Sequence, residues 1–471
     1  MKPWKHQTAA LAFAARRGYR AILAMGMGTG KTLVAIETIR DQVQPGGTVL
    51  VIAPKRVALH TWPGELRKHN MSDGYQVVPL RKGTSKAKAR VAREAIRDAD
   101  IANVITIILC GYESATQPAL MEVWRDLGLD AVIFDEIHRI KAPKGKASKA
   151  CAQIPARIRL GLTGTPAPHS ILDVWGQCRA LDPTVFGSSY FRFRARYARM
   201  GGYRVGGKPV QVVGFQNLEE FEAKFASIAF QVGDEVLDLP ELHHVVRDVE
   251  LPATAREVYD GIHKDYVALL EGGDVVTATN AAVRVGKCLE VSGGTILHDV
   301  ENDEGAVLDR VVTHVHAAKR EALEEILEDI GSEELFVVFA RYRGDLDQVG
   351  AAALGQGRPY FEISGRSGDD DLPLWRESTG GVLGVQIQSG GVGLDFTAAR
   401  YGAFWSTGHN LGDYEQAVKR LHRPGQTQVT TYFHLHATRT LDGPVYKALR
   451  ERRDFVGDIL DRAKAAQNAK G

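Results

Sequence analysis

The stretch Ala24-Met25-Gly26-Met27-Gly28-Thr29-Gly30-Lys31-Thr32 decides how the chain folds. An apolar run leads into it and a helix-forming segment leaves it. This arrangement predicts a phosphate-binding loop, because glycines let successive backbone N–H groups face one anion and the helix adds its positive end. Lys31 would reach the β- and γ-phosphates, and Thr32 would ligate Mg²⁺. The alternative is a glycine-rich turn with a surface lysine, since Met25 stands where the strict motif has glycine.

An acidic stretch further along, Asp135-Glu136-Ile137-His138, directly follows an apolar run of strand character. At a strand end Asp135 can hold Mg²⁺ through water, and Glu136 can orient the water that attacks the γ-phosphate. The alternative is an ordinary acidic pair at the end of a strand. The order of the motifs favours the nucleotide site, because the phosphate loop lies upstream and the turn Leu162-Thr163-Gly164-Thr165-Pro166 lies downstream.

Composition places the chain among soluble globular proteins. Its 471 residues, 44% hydrophobic and 25% charged, predict two or three domains. No stretch approaches a transmembrane length and the start lacks a signal-peptide segment, so a cytoplasmic location is expected and a membrane partner is not. The four cysteines are widely spaced without a C-x-x-C pair, which favours buried free thiols over disulfides or a zinc site.

Because the net charge is only +2, a nucleic-acid partner must be argued from local clusters. Basic side chains concentrate at residues 81–97, 139–149 and 190–204. In the last cluster Arg192 and Arg194 alternate with aromatic side chains, which suits a groove that follows a nucleic-acid backbone. The alternative for each cluster is a solvated helix face.

Two further positions carry polar groups suited to ligands. Lys55 and Arg56 follow the buried-strand run Thr48 to Ala53, at the end where open parallel sheets bind their ligands. Gln7 offers an acceptor and two donors on one planar group, which matches the edge of adenine. It is therefore a candidate reader of the base.

Taken together, the ordered motifs resemble those of superfamily 2 helicases, and the Swi/Snf-like branch fits best. The matching positions are Gln7, Gly28 to Thr32, Ala53-Pro54-Lys55 with Trp62 and Glu65, Asp135 to His138, Thr163 to Pro166, Ser389 to Asp395 and Gln416 to Gln426. Asp395 departs from the asparagine usual in this branch, and Pro424 from its isoleucine.

The resemblance implies an α/β fold with two tandem RecA-like domains, mostly parallel sheets, and ATP bound in the cleft between them. Residues 1–182 would form the first ATP-binding domain, 183–239 an inserted helical and basic segment, and 240–471 the second domain with a C-terminal helix. Arg420 and Arg423, three apart, fall on one side of a helical turn and could both face the γ-phosphate. The resemblance assigns Arg423 as an arginine finger and Arg420 as a phosphate contact.

The residue patterns and the resemblance together indicate three groups of site residues. Those expected to bind ATP and Mg²⁺ or to catalyse hydrolysis are Gln7, Gly26, Gly28, Thr29, Gly30, Lys31, Thr32, Asp135, Glu136, Gly393, Asp395, Arg420 and Arg423. Those expected to contact nucleic acid are Lys55, Arg56, Tyr112, Arg192, Arg194, Arg341, Ser389 and Gly390. Those expected to couple nucleic-acid binding to ATP hydrolysis are His138, Thr163, Thr165 and Gln416.

The resemblance implies an ATP-driven translocase on double-stranded DNA, with a strand-separating DNA or RNA helicase as the alternative. A nucleotide-dependent switch is disfavoured by the intact Glu136 and Arg423. DNA is the expected partner, RNA stays open, and a monomer is favoured although the oligomeric state is not determined. The short, Ala/Gly/Arg-rich chain suggests a bacterial or bacteriophage source.

Overall fold

The computed structural model describes residues 3–81, 83–168, 170–205, 208–271, 278–301, 307–367, 371–387, 394–408 and 410–451. Predictions at Ser389, Gly390 and Gly393 lie outside these residues. The chain divides into two compact units, and the division between their main segments falls after Asp238. We call the part up to Asp238 unit 1 and the part from Leu239 unit 2.

Unit 1 alternates strands with helices from its first residues onward. Its strands are β1 (Arg20–Met25), β2 (Thr48–Ala53), β3 (Tyr75–Pro79), β4 (Ile105–Gly111), β5 (Ala131–Asp135), β6 (Ile158–Thr163), β7 (Ala198–Val205), β8 (Lys208–Phe215) and β9 (Ala229–Val232). Its helices are α1 (Lys5–Arg16), α2 (Lys31–Gln42), α3 (Trp62–Lys68), α4 (Ser85–Ala102), α5 (Tyr112–Ala115), α6 (Pro118–Leu127), α7 (Lys146–Gln153), α8 (Val174–Leu181), α9 (Tyr190–Tyr197) and α10 (Leu218–Ile228).

Among the described residues of unit 1, seven strands form one parallel sheet in the order β3-β4-β2-β5-β6-β1-β9. Every residue of β2, β4, β5 and β6 is buried, which requires covering layers on both faces. Because the strands are parallel, their carboxyl ends share one edge. The loops after β1, β6, β5, β2 and β4 therefore follow one another along that edge.

Residues 183–238, most of the segment predicted as an insertion, group with unit 1. Strand β9 of this segment pairs with β1, so that Ala229 lies opposite Ile22. Its helices close an aromatic cluster with ring centroids 5.1–5.8 Å apart, made of Phe186, Phe193, Tyr197 and Phe221. Helix α10 ends at Ile228, and the residues that follow it form β9 and complete the sheet.

Unit 2 repeats the alternation. Its strands are β10 (Leu242–Val249), β11 (Thr295–Glu301), β12 (Val307–His314), β13 (Phe336–Ala340), β14 (Tyr360–Ile363), β15 (Val382–Gln386), β16 (Tyr401–Phe404) and β17 (Thr430–Ala437). Its helices are α11 (Ala253–Glu271), α12 (Ala278–Gly293), α13 (Ala318–Asp329), α14 (Arg343–Gly355), α15 (Asp371–Glu377) and α16 (Leu411–Leu421), followed by helical residues 442–451.

The described part of unit 2 has a six-stranded parallel sheet in the order β10-β17-β16-β13-β15-β14. Side chains of its central strand alternate between two cores, with Val337 and Phe339 in one and Phe336 and Val338 in the other. The sheet is thus covered on both faces, as in unit 1. Two parallel α/β domains confirm the predicted fold class.

All four cysteines are buried free thiols, as their spacing predicted. Within the described ranges, no helix has the length and apolar character needed to cross a bilayer.

Candidate functional site

The loop predicted to bind phosphate, residues 26–30, joins β1 to α2 at the carboxyl edge of the first sheet. Gly28 and Gly30 have φ values of +81° and +83°, a left-handed backbone that favours glycine. Gly30 caps the first turn of α2, whose N–H groups have no helical partner and can receive an anion. A Cβ on Gly26 would require the Asp234 carboxylate to shift.

Gln7 does not present the open base-reading edge that the sequence predicted. It is buried, its Nε2 donates to the Thr29 carbonyl at 3.0 Å, and its Oε1 accepts from the Trp4 backbone N–H at 2.8 Å. Nε2 of His6 lies 2.8 Å from the same carbonyl. Both polar ends of the Gln7 amide are therefore engaged within the protein. Together with His6, which the sequence did not single out, Gln7 fixes the middle of the phosphate loop.

Asp135 ends β5 as a buried carboxylate. Its Oδ2 accepts from Nε1 of Trp62 at 2.9 Å and its Oδ1 accepts from the backbone N–H of Glu136 at 3.0 Å. Burial raises the pKa of the Asp135 carboxyl and the Glu136 charge adds to this, whereas the Trp62 bond and the Lys31 charge oppose the increase. A buried carboxylate is stabilised by a nearby cation, so these residues fit an Mg²⁺ ion.

Glu136 has the left-handed backbone angles φ 51° and ψ 52°, which are uncommon for a residue with a long side chain. Its Oε2 lies 3.4 Å from Nδ1 of His138, and that nitrogen lies 3.1 Å from Oγ1 of Thr163. The Thr163 hydroxyl oxygen also accepts from the backbone N–H of Thr165 at 3.1 Å. A continuous series of polar contacts thus connects Glu136 to the loop after β6, and it contains the three coupling residues predicted in unit 1.

The strand order explains why these residues meet. Thr163 on β6 pairs with Ala24 on β1, and Leu162 pairs with Asp135 on β5. Two neighbouring strand spacings amount to about 10 Å, so the phosphate loop and the acidic pair lie within reach of one triphosphate. Residues more than 100 positions apart are brought together by the sheet.

The segments after β2 and β4 differ in what they expose. Lys55 is exposed and Arg56 is half-buried, with burial lowering the pKa of the Arg56 guanidinium. Tyr112, predicted to contact nucleic acid, is instead buried, and its hydroxyl donates to the carbonyl of Asp135 at 2.9 Å. Its ring belongs to the core of unit 1, because α5 begins at the sheet edge and turns this side chain inward.

The arginine-aromatic cluster on α9 is only partly a surface feature. Arg192 is exposed and Arg194 is half-buried. Phe193 and Tyr197 are almost fully buried in the aromatic cluster of unit 1, so they cannot serve as stacking surfaces for bases, contrary to expectation. Phe191 remains 71% exposed. Phe193 and Tyr197, four residues apart on α9, form its buried face. The arginines lie outside that face.

In unit 2 the two predicted phosphate arginines converge on one backbone oxygen. Nη1 of Arg420 and Nη1 of Arg423 donate to the Leu394 carbonyl at 3.1 and 3.3 Å. The expectation of a shared helical turn is wrong, since α16 ends at Leu421 and Arg423 lies beyond it. The following Pro424 disfavours helix at Arg423, and the resulting turn brings the two side chains together.

Asp395 adjoins this pair. Burial alone would raise the pKa of its carboxyl, but hydrogen bonds from the backbone N–H and hydroxyl of Thr397 and the charges of Arg423 and Arg376 lower it. The carboxylate is therefore held as an anion by its own loop. Arg341, after β13, and Gln416, on α16, are half-buried, and their roles remain predictions.

The family model of the SNF2-related domain matches residues 6–289, which is more than half of the chain. The chain therefore belongs to the SNF2-related family. This confirms the resemblance to the Swi/Snf-like branch of superfamily 2, and it makes the chain a nucleic-acid-dependent ATPase with two RecA-like domains.

Among individual relatives, the putative protein p41 of Acyrthosiphon pisum secondary endosymbiont phage 1 is 28% identical over 466 residues, covering 93% of this chain and 94% of that protein. The human DNA annealing helicase and endonuclease ZRANB3 is 24% identical, and the match covers 96% of this chain but only 40% of ZRANB3. A solved Sulfolobus solfataricus SWI2/SNF2 ATPase core in complex with dsDNA aligns at TM-score 0.44 and 19% identity, covering 98% of this chain and 94% of that one.

Proposed function

We propose that this chain is a motor that hydrolyses ATP with Mg²⁺ to move along, or remodel, double-stranded DNA. The observation that carries the proposal is the arrangement at the carboxyl edge of the first sheet, where the phosphate loop, Asp135, Glu136 and Thr163 lie side by side. Family membership adds the nucleic-acid-dependent character of the ATPase. The phage relative supports the cytoplasm of a bacterial or bacteriophage-infected cell as its location.

Within unit 1, each polar group has a role that its surroundings support. Lys31, at the start of α2, would hold the β- and γ-phosphates together with the loop N–H groups. Thr32 and Asp135 would hold Mg²⁺, which when bound would neutralise negative charge on the phosphates. Glu136 would orient the attacking water, and the contacts through His138 and Thr163 would keep its carboxylate in place.

Within unit 2, we assign Arg423 as the arginine finger and Arg420 as a phosphate contact. Both guanidinium groups are held at the Leu394 carbonyl, which restricts their freedom before any nucleotide binds. Preorganised donors of this kind stabilise the charge that develops on a transferring phosphoryl group. Asp395, kept ionised beside Arg423, would maintain the position of that side chain.

The choice of duplex DNA as the track follows from the branch to which the family belongs and from the DNA-acting relative ZRANB3. Exposed Lys55, with Arg192 and Arg194 on α9, would contact the phosphate backbone. We expect no reading of base sequence, because a translocase must bind every sequence it crosses.

The test is an ATPase assay with duplex DNA, single-stranded DNA and RNA of equal length as activators. We expect duplex DNA to stimulate most, and we expect the protein to displace a triplex-forming strand without separating the duplex. The variant Glu136→Gln is the control for contaminating ATPases. Stimulation by RNA alone, or efficient strand separation, would instead support the helicase alternative.

A further inference from the structure

Two aromatic side chains from different segments donate hydrogen bonds to Asp135. Nε1 of Trp62, in α3, donates to the carboxylate Oδ2 at 2.9 Å. The Tyr112 hydroxyl, in α5, donates to the backbone carbonyl of Asp135 at 2.9 Å. One bond therefore aims the carboxylate and the other holds the backbone from which it projects. Both aromatic residues are almost fully buried.

Each donor belongs to a segment that leaves the sheet beside the surface proposed to contact DNA. A single π-helical turn, Val57–Thr61, separates Trp62 from the pair Lys55 and Arg56. Such turns are rare and often occur at functional sites. Tyr112 follows Gly111, where an added Cβ would lie 3.3 Å from the Cα of Lys55. The two segments thus touch each other at Lys55.

The Trp62 bond differs from the indole bonds elsewhere in the described chain. Four other tryptophans donate to backbone carbonyls, namely Trp124, Trp175, Trp375 and Trp405. Trp62 donates to a carboxylate instead, and hydrogen bonds to charged groups are shorter and stronger than neutral ones. Packing alone would be satisfied by a carbonyl acceptor. Trp62 thus orients a carboxylate, and it is this carboxylate that is proposed to hold Mg²⁺.

We propose that Trp62 and Tyr112 are positioning residues, which transmit the contact of DNA with the Lys55 segment to the carboxylate of Asp135. The proposal deepens the proposed function and rests on it. A small displacement of the π-helical turn would move the indole, because close-packed interiors pass shifts from one side chain to the next. With its carbonyl held by Tyr112, Asp135 would respond mainly by turning its carboxylate.

The first experiment measures metal binding without turnover. Binding of the fluorescent nucleotide mant-ADP to the full chain is followed at increasing Mg²⁺ for the wild type, Trp62→Phe and Trp124→Phe. Replacing a hydrogen-bond partner of a metal ligand typically costs 10–100-fold in affinity or activity, so Trp62→Phe should raise the half-saturating Mg²⁺ about tenfold. Trp124→Phe loses the same N–H group from a buried indole and should leave the midpoint unchanged.

The second experiment measures coupling. DNA affinity by fluorescence anisotropy should be the same in Trp62→Phe and the wild type, because Lys55 and Arg56 are intact. The ratio of ATPase rates with and without duplex DNA, measured at saturating Mg²⁺, should fall toward one. Tyr112→Phe removes a single oxygen and should likewise raise the half-saturating Mg²⁺ and lower the ratio of ATPase rates with and without DNA. It serves as the second variant if Trp62→Phe melts at a lower temperature.

The outcomes distinguish the positioning of Asp135 from the transmission of DNA contact. A wild-type Mg²⁺ midpoint in both Trp62→Phe and Tyr112→Phe overturns the positioning role. A raised midpoint with undiminished stimulation by DNA overturns the transmission. If DNA does not stimulate the wild-type ATPase at all, the proposed function fails, whereas the Mg²⁺ titration still decides whether these side chains position Asp135.

Discussion

Glu136 shows how much of the site depends on single residues. Its left-handed backbone turns the carboxylate toward His138, and the chain continues at once into a short 3₁₀ turn. Backbone strain of this kind costs on the order of 1–3 kcal/mol and persists only where the surroundings impose it. In the proposed mechanism the carboxylate of Glu136 and the ammonium of Lys31 have separate tasks, which substitutions can distinguish.

We expect Glu136→Gln to bind mant-ATP with nearly wild-type affinity and to lose turnover by about 10²–10⁴-fold, because the amide cannot accept the proton of the water. Lys31→Ala should lose turnover through weakened binding of the phosphates, since it removes their positive charge. Nucleotide affinity by fluorescence and single-turnover rates check both. Near wild-type turnover in Glu136→Gln would refute the water-orienting role.

Arg423→Ala should leave the affinity for ATP almost intact and reduce DNA-stimulated hydrolysis by about 10³-fold or more, because a finger acts mainly in the transition state. Arg423→Lys should not restore the rate, since lysine lacks the planar fork that grips two oxygens. Steady-state ATPase with saturating DNA measures both variants. Rescue by lysine would indicate that charge alone suffices.

At the scale of elements, the arginines of α9 differ in their hydrogen-bond partners. Arg196 donates to Glu220 at 2.9 Å, and no such bond is found for Arg192 or Arg194 within the described residues. Replacing Arg192 and Arg194 together by alanine should flatten the salt dependence of DNA binding, at roughly 0.9 in the slope of log K against log salt per lost phosphate contact. Arg196→Ala is the matched control, and an equal effect from it would argue against specific contacts.

In unit 2, α14 buries Asp345, with one carboxylate oxygen bonded to Ser406 and the other without a hydrogen-bond partner among the described residues. Burial raises the pKa of this carboxyl to about 7. Between about pH 4, the ordinary pKa, and pH 7 the folded state holds a proton that the unfolded state has lost. This raised pKa therefore makes the free energy of unfolding decrease as pH rises through this window.

Asp345→Asn should remove that pH dependence, because the amide does not titrate. Its free energy of unfolding in urea, relative to that of the wild type, should increase from pH 4 to pH 7 and then level off. The difference should be on the order of a few kcal/mol at most. Asp329→Asn, at the exposed end of α13, is the control and should run parallel to the wild type. A constant difference for Asp345→Asn would contradict the burial argument.

For the molecule as a whole, the extent of unit 1 can be tested with fragments. Residues 1–238 include β9 and the aromatic cluster, whereas a fragment ending at Asp182 lacks both. We expect the longer fragment to fold and bind mant-ATP, yet to hydrolyse ATP very slowly even with DNA, because it lacks Arg423. The shorter one should fail to fold, since losing even one buried phenylalanine costs about 3–5 kcal/mol.

Circular dichroism melting and mant-ATP fluorescence of the two fragments provide the measurement. A cooperative melt for residues 1–182 would mean that the segment 183–239 is dispensable after all. Full DNA-stimulated turnover by residues 1–238 would show that catalysis does not require unit 2.

The sequence by itself determined the two α/β domains, the glycine-rich loop after β1 and the acidic pair at the end of β5, because these depend on local patterns: apolar strand runs, glycine spacing and residues adjacent in the chain. Only the tertiary structure decided what Gln7, Trp62 and Tyr112 contact. The partner of Trp62 lies 73 positions away, and that of Tyr112 lies 23 positions away. The sequence also could not place residues 183–239, since a short edge strand acquires its identity only by pairing with β1. Strand order brings distant residues together, and no local pattern encodes it.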